Sequence, residues 1–197
     1  MKKLLAILLA LVLALSLFAC ADNGKDEKEN GGETTTATQA VESREPVDVL
    51  KAVWANYKDD QKFAVAGGDT ENMVMDEPGA FNIANTEELD VALGFPATAA
   101  DKIDAAASIV HMMNANTFTC GAYRVKNAAD VQVVAAALKD NILNRHWMCG
   151  FPDTLIIAQV DDVVIACFGN YGNPENFKLN LTEVFDSAVI ISEDPIE

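Results

Sequence analysis

Two runs of the chain, Leu155–Val160 and Val163–Phe168, are apolar at odd and even positions alike and are separated only by Asp161-Asp162. Successive side chains of a strand point to opposite faces of its sheet, so strands of this kind leave no face to water. They read as paired central strands covered on each side. That requirement narrows the chain to layered folds in which helices lie against a sheet.

The surrounding pattern repeats the arrangement. Ser108–Met113 and Thr117–Val125 read as two more strands, joined by the turn Asn114-Ala115-Asn116. Asn127, with Asp130 three residues on, caps a helix whose face is Val131, Val134, Ala135, Leu138 and Ile142 and which ends near His146. Asn173-Pro174 opens a last helix with Phe177, Leu181, Val184, Phe185 and Ala188 inward. Upstream, Pro46–Asp59 forms a first helix with a stripe of Val47, Leu50, Trp54 and Tyr57. A short strand is expected within Gln61–Gly68 and irregular chain over Asp69–Ile83. Asn85 and Glu88 resemble a capping box for a short helix that Gly94 ends. The expected fold is α+β: an antiparallel sheet of two strand pairs packed with helices, in the order strand-strand-helix-strand-strand-helix, plus the N-terminal helix. One domain over residues 46–192 accounts for it, with 193–197 as a tail.

What precedes residue 46 cannot belong to that core. Lys2 and Lys3 lead into the apolar run Leu4–Leu17, too short to read as a spanning helix, which ends in Leu17-Phe18-Ala19-Cys20. This resembles the lipobox of bacterial lipoproteins. Residues 1–19 are expected to be the signal peptide, and the Cys20 thiol is expected to carry the lipid that anchors the protein to the membrane. Residues 20–45 are polar and low in complexity, the composition of a disordered tether. The expected location is therefore the outer side of the cytoplasmic membrane.

Net charge is −16, and two units more negative once Lys2 and Lys3 are removed, so nucleic acid is a poor partner. After Cys20 three cysteines remain, Cys120, Cys149 and Cys167, which cannot all pair within the chain. Cys167 lies in an apolar run and reads as a small core residue; Cys120 and Cys149 could form one disulfide, which requires Cα atoms closer than sequence spacing establishes. No C-x-x-C is present for thioredoxin-like chemistry.

Catalytic and metal motifs are lacking too. His111 and His146 sit in no metal-ligand spacing, and there is no G-x-S-x-G elbow. His111, between Ile109 and Met113, reads as a structural histidine, and Met112-Met113 reads more readily as core than as a greasy binding surface. His146-Trp147-Met148-Cys149 holds soft copper ligands, but all within four residues, and a helix end closed by Gly150 and Pro152 accounts for it better. The loop from Gly67 to Asn72, measured from Asp69, places Val74 and Ala80 where a calcium loop needs glycine and glutamate. No catalytic residue, metal or cofactor is assigned.

Four segments carry a family resemblance: Val53-Trp54-Ala55-Asn56-Tyr57; Phe63 with Gly67-Gly68-Asp69; His111 to Thr119; and Trp147-Met148-Cys149-Gly150-Phe151-Pro152. Together they look like a domain-of-unknown-function family of lipoproteins from anaerobic Gram-positive bacteria, whose members often bear the label bacteriocin transport accessory protein. The resemblance implies a single domain at a Gram-positive cell surface and brings no residue roles with it. The expected function is a non-enzymatic accessory or binding domain, with a transporter or envelope protein as the expected partner. The alternatives are a small-ligand binding lipoprotein and a thiol-based or hydrolytic envelope enzyme. Display loops point to Gly67, Gly68, Asp69, Asn72, Asn114, Asn116, Trp147, Cys149 and Phe151 as the binding surface.

Overall fold

A computed structural model describes residues 43–148 and 150–197. The stretch read as signal peptide, Cys20, the tether through residue 42, and Cys149 lie outside them. The described residues form one unit built on an eight-stranded antiparallel sheet. In chain order come α1 (Pro46–Asn56), β1 (Val65–Gly67), β2 (Val74–Met75), β3 (Gly79–Phe81), α2 (Thr86–Leu93), β4 (Ile103–His111), β5 (Phe118–Val125), α3 (Val131–Leu143), β6 (Thr154–Val160), β7 (Val163–Gly169), α4 (Asn173–Val184) and β8 (Val189–Pro195). The spatial order is β2-β1-β4-β5-β7-β6-β8, with β3 also on β4. No helix among the described residues is long and apolar enough to cross a membrane.

The doubly apolar hairpin sits where its pattern demands, β7 at the centre between β5 and β6. Val163, Ile165 and Cys167 face α1 and α4, and Val164, Ala166 and Phe168 face α2 and α3. The period of two divides the interior into two cores, each closed by a pair of helices. The first takes Val49, Leu50, Val53 and Trp54 from α1 with Phe177 and Leu181 from α4. The second takes Leu89 and Leu93 from α2 with Val131, Val134, Leu138 and Ile142 from α3. Both draw, among the described residues, only on positions between Val47 and Ile196, so this unit carries its own core.

Several boundaries differ from the sequence reading, each for a local reason. β4 begins five residues earlier than expected, because Ala105, Ala106 and Ala107 carry no strand signal; Ala107 packs in the core beneath α1 and Ala106 in the opposite one. The last residues are not a tail: β8 runs through Pro195 and pairs with β6 over Gln159–Thr154. It is an outer strand whose apolar part is only Val189, Ile190 and Ile191 before Ser192, Glu193 and Asp194, too short a run to register as a strand. The helix expected to end near His146 stops at Leu143, where Asn144 turns its amide back onto the Asp140 carbonyl at 2.8 Å. Asn127 caps a 3-10 turn, Ala128–Asp130, that leads into this helix.

Asp69–Ile83, expected to be irregular, holds β2 and β3. Val65 and Ala66 of β1 pair with His111 and Val110, and β3 pairs Gly79, Ala80 and Phe81 with Ser108, Ala107 and Ala106. β3 therefore continues along β4 where β1 stops. The two are one edge strand interrupted by an excursion, and β2 folds back on β1 to close it, Gly67 opposite Val74 and Ala66 opposite Met75. Strands of two and three residues are too short for periodicity to register.

Candidate functional site

The excursion raises one wall of a cleft of about 420 Å³, a volume ordinary for a small-ligand site. Ala66, Gly67 and Gly68 leave the sheet along its floor, with Phe81 beside them. Asp69, Thr70 and Met73 form the loop wall, and Glu88 and Ala92 of α2 stand opposite. The end of β4 and its turn complete it with Val110, His111, Met112, Met113 and Ala115.

Asp69 holds the loop wall. Only 4% exposed, its carboxylate accepts the backbone N–H groups of Glu71 and Asn72 on Oδ1 and of Asn82 on Oδ2, each at 2.9 Å. The Asn72 side-chain amide adds bonds to both oxygens at 3.0 and 3.2 Å. Burial by itself would raise the carboxyl pKa, but these N–H donors outweigh it and hold the group below the usual carboxylate range. With its lone pairs occupied, Asp69 is a brace that keeps a negative charge, and Asn72 belongs to the same brace.

Glu88 crosses from α2 to that loop. Its Oε1 accepts the Thr70 N–H at 2.8 Å and the Thr70 hydroxyl at 2.5 Å, and its Oε2 accepts the Asn85 amide at 3.0 Å. Asn85 Oδ1 in turn accepts the Glu88 N–H at 3.1 Å, so one limb of the capping box forms and the other is turned outward to the cleft. On the far wall His111 Nδ1 accepts the N–H groups of Met113 and Asn114, both at 3.2 Å, and the ring stacks on Phe63 at 5.0 Å between centroids. An accepting Nδ1 is unprotonated, which places the ring proton on Nε2. His111 is structural, as its surroundings in the sequence suggested. It fixes the turn that carries Met112 and Met113.

Those methionines are not core. Met113 is 80% exposed and Met73 61%, and Met75 and Met112 are about half exposed at the same end of the sheet. The expectation of core packing fails because Met112 and Met113 follow the last β4 residue and lie beyond the reach of either helix layer. Met73, Phe81, Glu88, Ala92, Val110, His111, Met112 and Met113 all escaped nomination as binding residues. The one signal for them was that methionines at 73, 75, 112, 113 and 148 avoid the apolar stripes of the helices.

The remaining nominated residues lie elsewhere. Gly150, at φ +65°, does not cap a helix; a Cβ there would come within 3.1 Å of Asn114 Oδ1 and Asn116 Cβ, so its loop lies against the β4–β5 turn. Trp147 is half-buried, its ring 5.4 Å from Phe168 and under the Arg145 guanidinium at 5.6 Å, and it serves as a lid on the core. Phe151 and Met148 are exposed, as is Tyr171, whose neighbour Asn170 donates its side-chain amide to the Phe151 carbonyl at 3.1 Å. Cys120 is a free buried thiol directly opposite Cys167 in the sheet, also free. The pairing of Cys120 with Cys149 that the sequence allows falls on a residue outside those described. Among the described residues no group of His, Cys, Asp and Glu is arranged to hold a metal ion.

No protein-family model, no curated protein and no solved structure matches the chain.

Proposed function

We propose that the protein is a lipid-anchored, extracytoplasmic, non-enzymatic binding domain whose ligand occupies the cleft between α2, the 69–73 loop and the β4–β5 turn. The observation that carries this reading is the cleft's construction: apolar walls that include three exposed methionines, on a scaffold braced by Asp69, Glu88 and His111. Methionine is flexible and polarisable, and it suits surfaces that close around a ligand. The polar groups at the cleft are committed to holding the walls, which supports binding over catalysis.

Two measurements test it. In the native bacterium, Cys20→Ala abolishes incorporation of labelled palmitate and releases the protein from the membrane fraction; retention of both label and membrane association overturns the anchor. Residues 43–197, which carry their own core, bind the neutral dye Nile red with a fluorescence rise that Ala92→Arg removes. Absence of dye binding, or binding that Ala92→Arg leaves intact, overturns the cleft as ligand site.

A second reading, docking to an envelope or transporter protein, draws on the exposed side chains of Met148, Phe151 and Tyr171, the last two on loops joined by the Asn170–Phe151 hydrogen bond. Met148 is 94% exposed, and Tyr171 is held at φ 60°, a conformation that costs a non-glycine residue about 1 kcal/mol or more. Crosslinking in cells with a photoreactive residue at position 171 tests it. One specific membrane partner is expected, and recovery of none removes this reading.

A further inference from the structure

The cleft has a charge sign as well as an apolar lining. Asp69 and Glu88 line it, and among the described residues no lysine or arginine does. A shallower depression shares Thr70 and Glu88 with it and adds Glu71 and Glu87, again with no basic residue. None of the ion pairs formed by the described residues involves these four carboxylates. Arg145, which donates to the Val91 carbonyl behind the depression, is engaged by Asp90 at 2.9 Å. Glu88 is fixed by hydrogen bonds from neutral donors, which orient its charge without cancelling it.

From this we infer that the cleft takes a small lipophilic cation, its apolar body against Met73, Met112, Met113 and Val110 and its charge toward Glu88. This rests on the cleft being the ligand site, as proposed above. Three observations select this class. The volume suits one drug-sized molecule. Thioether sulfurs contact aromatic and alkyl groups favourably. Anions meet only like charge. A soft metal ion fits less well, because His111 Nε2 carries the ring proton and offers no lone pair to a metal.

The test compares tetraphenylphosphonium with tetraphenylborate, ions of matching shape and opposite charge, as competitors of Nile red on residues 43–197. The phosphonium is expected to displace the dye at least about tenfold more tightly, the scale of one or two partly solvated charge interactions. Glu88→Gln, which keeps the oxygen that Thr70 uses, narrows that ratio, and Ala92→Arg, on the exposed face of α2, abolishes phosphonium binding. Equal or tighter binding of the borate, or displacement by neither ion while the dye still binds, overturns the cation assignment and leaves the cleft as a site for neutral ligands. Failure of the dye itself overturns both.

Discussion

A Cβ on Gly67 would lie 2.1 Å from the backbone nitrogen of Gly79, and one on Gly79 would lie 2.5 Å from the nitrogen of Gly68. The edge strand leaves the sheet at the first of these glycines and re-enters at the second, with the two backbones abutting. Since the obstructing atoms are main chain on both sides, no side-chain rotation relieves the contact. Gly67→Ala and Gly79→Ala are each expected to cost about 2–4 kcal/mol in urea unfolding. A loss below about 0.5 kcal/mol, the level of an ordinary surface change, would show that the strand ends do not meet this way.

The Asp69 brace makes acid stability depend on one loop. Its pKa is lower folded than unfolded, so its stabilisation is complete above the unfolded value of about 3.9 and is lost as pH falls through the folded one. Asp69→Asn turns an acceptor into a partial donor facing N–H groups and is expected to cost about 1–3 kcal/mol at pH 7. Urea titrations from pH 7 to pH 2 should show the wild type losing its advantage over the variant below about pH 4. A difference that stays constant with pH would mean that the carboxylate's charge is not what holds the loop.

Beneath α1 and α4 the chemistry is inert. Burial raises the Cys167 thiol, with Cys120 beside it as a further cause, and burial likewise raises the Tyr57 hydroxyl. Iodoacetamide at pH 8 should leave Cys120 and Cys167 unmodified until denaturant is added. Labelling of either in the native protein would reveal an opening that the packing does not provide. Among the described residues the Tyr57 hydroxyl has no hydrogen-bond partner, so Tyr57→Phe should be neutral or stabilising by up to about 1 kcal/mol in thermal unfolding.

Exposure ranks the methionines for oxidation. Dilute hydrogen peroxide should convert Met113 and Met148 to sulfoxides first, as read by peptide mass spectrometry. Because methionines 73, 75, 112, 113 and 148 all stand outside the two cores, the melting temperature should move little. Nile red binding should fall as Met112 and Met113 oxidise. A large loss of stability with dye binding preserved would place these side chains in a structural role.

Much of the architecture was legible from residue order. The doubly apolar 155–168 hairpin required cover on both faces, and the stripes of α1, α3 and α4 supplied it, because burial patterns with periods of two and 3.6 are properties of the local sequence. The glycines Gly67 and Gly68 that end β1, and the helix bounded by Asn85 and Gly94, were readable from turn and capping chemistry, which is local as well. Only the tertiary structure decided that β3 resumes the line of β1, that β8 extends the sheet beyond β6, and that Cys120 faces Cys167 across β5 and β7. The cleft belongs to this second group. Met73, Glu88 and Met113 come from three separate segments, and their meeting depends on how an interrupted edge strand lies against a helix and a turn. Local periodicity records which face of a segment is apolar, while a site formed between segments depends on long-range register that no single segment encodes.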